Sequence, residues 1–157
     1  MGRSMRRCLL SVSLLALALS AFAGDYLLPL EGRQEFSVAI QARGAEITGI
    51  CIVKTDETGT KGAIVNEFGV HALDFTLTAD RRKVKLLNVM PVMNRWYVRK
   101  VVRKDLKYLF SATESPQAKG PRKVESEADG SVTLENTRYK LKYSFKLINR
   151  EENETAE

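Results

Sequence analysis

Apolar side chains recur at every second position once the chain reaches Phe36. Phe36, Val38, Ile40 and Ala42 alternate with Ser37, Ala39 and Gln41, the period of a half-buried strand. Residues 43–46 read as a turn. Residues 47–54 form the next run, apolar on both faces around Ile50, Cys51, Ile52 and Val53. Residues 55–59 are a polar loop ending in the glycine a hairpin needs. Residues 62–66 extend again. Leu73, Phe75 and Leu77 alternate with Asp74, Thr76 and Thr78, residues 79–82 turn, and residues 84–89 return. The pattern predicts an antiparallel meander with short links.

After Pro91 the period changes. Apolar residues fall at Met93, Tyr97, Val98, Val101, Val102, Leu106, Leu109 and Phe110, in steps of three and four. That spacing predicts one amphipathic helix, with Pro91 in its first turn. Its polar face carries Arg95, Arg99, Lys100, Arg103, Lys104 and Lys107, opposed only by Asp105. Pro116, Gly120 and Pro121 break it. Two closing strands follow. One comes after the hairpin signal Asp129-Gly130; in the other Leu141, Tyr143, Phe145 and Leu147 alternate with lysine-rich positions. The segment around residues 124–127 pairs weakly.

The two ends read differently. Arg3, Arg6 and Arg7 precede an apolar run over residues 9–19, and Ala21-Phe22-Ala23 supplies the small residues of a cleavage site. Residues 1–23 therefore read as a secretory signal peptide cleaved after Ala23. Its loss would remove three of the six excess positive charges, and Cys8 with them. Position 24 is glycine, so no cysteine stands where a lipid anchor would attach. The expectation is a periplasmic protein that is not lipid-anchored, with one domain over residues 24–148 and a disordered acidic tail over 149–157. Cys51, alone between two isoleucines, reads as an inert buried thiol.

Candidate chemistry is sparse. His71 is the only histidine, which argues against a metal site and leaves a serine or cysteine triad without a local signature. Asp74, Asp80 and Asp105 are available as paired acids, but each sits where solvated surface charge or a turn is expected. No glycine-rich phosphate loop occurs. The expectation is a protein that is not an enzyme and needs no cofactor. The basic helix face reads as a solvated surface. An exported protein rarely meets nucleic acid, so the functional version is contact with an anionic membrane through Arg95, Arg99, Arg103 and Lys107. Met90, Met93, Trp96 and Tyr97 cluster where meander meets helix. They either fill a core or present an adaptable surface to an apolar ligand.

The segment over residues 62–75, a strand ending in Asn66, an apolar–glycine turn at Phe68-Gly69, and a strand carrying Leu73, resembles the LolA/LolB-like periplasmic lipoprotein-carrier superfamily. The order of elements resembles the small LolA-like secreted proteins of Bacteroidetes. That resemblance implies an α+β fold, an incomplete β-barrel of curved antiparallel sheet wrapped round one central helix, with an apolar cavity for acyl chains. It implies a carrier or sensor of a lipid or lipid-modified protein. On it, Phe36, Val38, Ile40, Ile52, Phe75 and Leu86 line the concave wall, and Met90, Met93, Trp96 and Tyr97 sit at the mouth. The alternative is a structural or protein-interaction module of the cell envelope, with the same residues packed as a dry core. The chain departs from the typical carriers in a shorter mature length with fewer elements before the meander, and from the lipid-anchored LolB-like receptors in lacking the anchoring cysteine.

Overall fold

The period-two segments become eight antiparallel strands in a computed structural model, which describes residues 26–114 and 120–148. The expected leader and acidic tail lie outside the described residues. The strands are β1 (Arg33–Ala42), β2 (Ala45–Asp56), β3 (Gly59–Asn66), β4 (His71–Thr78), β5 (Val84–Val89), β6 (Arg122–Ser126), β7 (Val132–Asn136) and β8 (Leu141–Leu147). They form one sheet in the order β5-β4-β3-β2-β1-β8-β7-β6. The first and last strands meet where β1 pairs with β8, so neither half of the meander is a separate unit. The weak segment near residue 124 is a full ladder partner of β7.

Turn chemistry sets the register. Arg43 and Gly44 both have positive φ, the two-residue hairpin geometry that follows the strand twist, so β2 starts two residues earlier than the polar pattern implies. In the β3–β4 turn the Asn66 side-chain carbonyl accepts the N–H groups of Phe68 (3.0 Å) and Val70 (2.8 Å). The register shifts between Ile64 and Val65 and again between Leu73 and Phe75. Such irregularities bend a sheet. Gly62 makes room for a packed ring. A Cβ there would lie 2.2 Å from the Phe75 ring, which fills the space the glycine leaves.

Helix α1 (Trp96–Phe110) lies against the concave face. It touches β5 at one sheet edge and β6 and β7 at the other. The sheet therefore curls round the helix, but β5 and β6 do not pair and no barrel closes. Pro91 does not enter the α-helix. Pro91–Met93 is a separate 3-10 turn, and Arg95 is extended before helical backbone begins at Trp96. Arg99 ties this join down, donating to the Asn94 side chain (2.8 Å) and to the Leu86 carbonyl on β5 (3.2 Å).

The C-terminal half of α1 is plugged into a filled core. Phe110 stacks on Phe75 at 5.3 Å and meets Phe145 edge-on at 5.6 Å, and Phe145 meets Phe36 at 6.4 Å. Arg81 closes this end, donating to the Phe110 carbonyl (3.0 Å) and the Leu28 carbonyl (2.8 Å). Its guanidinium lies 3.8 Å over the Tyr26 ring. One side chain thus binds the otherwise unpaired helix end and the lead-in segment together.

Candidate functional site

Aromatic rings fill one end of the concave face, whereas the other end is left open. Beside the N-terminal half of α1 lies a cavity of about 540 Å³. Ile40, Ile47 and Leu73 come from the sheet, Met90 and Met93 from the link into the helix, and Val98 and Val101 from the helix itself. Tyr97, Tyr139 and Tyr143 add amphipathic rings, and no lining residue is charged. Pockets of roughly 300–1,000 Å³ with apolar walls are the usual shape of small-molecule sites. A larger depression of about 710 Å³ lies on the convex side near the β1–β2 and β7–β8 turns. It carries Arg43, Glu46, Glu135, Lys140 and Lys142. Charges in water are poor company for an apolar ligand, so the smaller cavity is the better candidate.

The expected wall is brought together in part. Ile40, Met90, Met93 and Tyr97 do line the cavity. Phe36, Val38 and Phe75 are buried in the packed core and do not line this cavity. Leu86 is buried on β5, below a shallow surface groove it shares with Trp96, Arg99 and Arg103. Ile52 is on the wrong face. It alternates with buried Cys51 and Val53, so strand period places it on the convex side. Its run is apolar on both faces, and alternation carries no direction there. Trp96 is 75 % exposed and turns away from the cavity. Val98, Val101, Ile47 and Leu73 were legible as apolar positions, but only the curl of the sheet shows that they meet.

The basic stripe is arranged as the helical period requires. Arg95, Arg103 and Lys107 are exposed, and Arg99 is half-buried by its two hydrogen bonds. Asp105 breaks the expectation of a solvated acid. Its side chain is 0 % exposed. It accepts from Arg122 Nε (2.6 Å) at Oδ1, from Asn136 Nδ2 at both oxygens (2.9 and 3.1 Å), and from the Tyr143 hydroxyl (3.1 Å) at Oδ2. Burial and the adjacent Asp105 charge push the Tyr143 hydroxyl well above its usual range. Both carboxylate oxygens are engaged, so the group clamps α1 to β6, β7 and β8 and has no lone pair turned toward a substrate. A charge among apolar helix positions looks like solvent face until partners arrive from distant strands.

The other reactive candidates lie apart. His71 meets Asp74 at 3.2 Å on the exposed start of β4, and Asn88 holds the other Asp74 oxygen at 2.7 Å. Cys51 is buried, and burial pushes its thiol up to about 12. It is therefore an unreactive core group. Among the described residues no three His, Cys, Asp or Glu side chains gather as metal ligands would. Compared with known proteins, the chain matches no family model and no curated sequence.

Proposed function

We propose that the protein is a non-enzymatic periplasmic carrier or sensor of the LolA/LolB-like kind, taking the acyl chain of a lipid or lipid-modified protein between the N-terminal half of α1 and the open end of the concave face. The observation that supports this is the uncharged cavity beside Met90 and Met93. Each methylene moved from water into such a space contributes about 0.8 kcal/mol, so an acyl chain binds there without a catalytic group. Methionines adapt to irregular chains better than branched side chains do. The resemblance over residues 62–75 points the same way.

The test is direct. Organic extraction of the purified chain and mass spectrometry should release acyl species, and a fluorescent fatty acid should bind and be displaced by unlabelled lipid. Val101→Phe fills the cavity from the helix and should abolish probe binding while leaving the melting temperature within a few degrees. A lipid-free protein that binds no probe would overturn the carrier reading and favour the envelope interaction module.

A further inference from the structure

We infer that the turns at the cavity end form a rim that docks on the interface of an anionic phospholipid bilayer. The inference rests on the carrier reading only for its purpose; its physical basis is an asymmetry between the two ends of the sheet. Antiparallel order puts residues 43–44, 67–70, 90–95 and 137–140 at one end, together with the start of α1. The described residues expose eight large apolar side chains. Six of them, Phe68, Val70, Val92, Trp96, Tyr97 and Tyr139, are at this end. The other two, Ile50 and Leu87, lie within strands. The turns of the opposite end expose none.

Charge follows the same axis. The cavity-end turns carry Arg43, Arg95, Arg138 and Lys140 against Glu67, and on the adjoining strand ends Lys142 stands with Glu46 and Glu135, so cations still exceed acids. The opposite turns carry Glu57, Asp80, Glu127 and Asp129, along with Arg81, Arg82 and Lys83. Arg81 is already spent on backbone carbonyls. Farther along α1, Lys100, Arg103 and Lys104 continue the basic surface. Aromatic rings beside arginine and lysine are the composition of a membrane–water interface, where rings sit at headgroup depth and cations meet anionic lipid.

The apolar groups are held outward by built geometry. Phe68 is 81 % exposed, although the Asn66 side chain and the Gly69 N–H to Asn66 carbonyl bond (2.9 Å) fix its turn. Trp96 stands at the first helical position and meets Tyr97 edge-on at 5.9 Å. Val92, Tyr97 and Tyr139 belong both to the rim and to the cavity lining, so the apolar surface is continuous from outside to inside. No helix among the described residues is long and apolar enough to cross a membrane, so the contact is peripheral.

Trp96 is the only tryptophan in the sequence, which makes it a clean reporter of the rim. The full chain is mixed with vesicles of phosphatidylcholine containing phosphatidylglycerol, and separately with phosphatidylcholine alone. Trp96 emission should shift to the blue and be quenched by brominated lipid, more strongly on the anionic vesicles and less as salt is raised. Phe68→Ser should lower partitioning about tenfold, as expected for withdrawing one large apolar group from the interface. Arg95→Ser with Arg138→Ser should remove the preference for anionic lipid. Partitioning is read from quenching of Trp96, which reports the rim at bilayer depth, so attachment through the N-terminal apolar run is not counted. Unshifted, unquenched Trp96, or partitioning indifferent to Phe68→Ser, overturns the rim. The cavity is scored separately: rim variants keep fatty-acid binding, and Val101→Phe keeps vesicle binding.

Discussion

Removing the Asp105 carboxylate tests how the half-closed sheet is held on its helix. In Asp105→Ala, Arg122 loses its counter-charge while only 17 % of its side chain is exposed. The Asn136 amide and the Tyr143 hydroxyl lose the acceptor they share. Breaking one side of a buried ion pair costs about 3–5 kcal/mol, because the remaining charge is left uncompensated. Arg122 has some access to water, so the low end, about 3 kcal/mol, is expected. For urea slopes of about 1–3 kcal/mol per molar, that lowers the midpoint by roughly 1–3 M. Unfolding is followed by circular dichroism, with the slope checked for change. The fourfold replacement Asp105→Leu, Arg122→Met, Asn136→Leu and Tyr143→Phe removes every polar partner at once. It should recover most of the loss, since apolar groups of similar volume owe no desolvation. A midpoint for Asp105→Ala within about 0.3 M of the parent would refute the clamp.

Two further outcomes follow from the core. Gly62→Ala sets a methyl against the Phe75 ring, which Phe110 holds in place, so a net loss of about 1–2 kcal/mol is expected. Phe75→Leu in the same background should cost less than Phe75→Leu alone, and simple additivity argues against the contact. The Cys51 thiol ionises at about 12 in the fold and near 9.0 when unfolded, so the unfolded chain gives up its proton first. Stability from this group is whole below pH 9 and is lost as pH rises toward 12, about 3 kcal/mol of it by pH 11. Cys51→Ala should erase that slope. A stability difference between parent and Cys51→Ala that is equal at pH 8 and pH 11 contradicts the burial argument.

Much of the secondary structure is readable from spacing, because the side-chain period is local. The alternation in β1, β4 and β8, and the three-and-four steps of α1, each identify an element without reference to any other. Local chemistry fails where the signal is symmetric. Ile52 sits in a run apolar on both sides, so nothing in the run says which side faces the helix. It fails again where two conformations share one pattern. Met93 and Tyr97 are four apart, yet Met93 ends a 3-10 turn and an extended Arg95 separates it from the helix.

The sequence by itself determined the elements, their order and the scarcity of reactive groups, because period, turn residues and composition are written residue by residue. The tertiary structure alone decided that β1 closes on β8, that Asp105 is a buried clamp, and that the aromatic plug occupies only one end of the concave face. Those outcomes depend on groups far apart in the chain, and on the space left once each has packed. An empty volume is no residue's property, so it appears only when the sheet has curled round the helix.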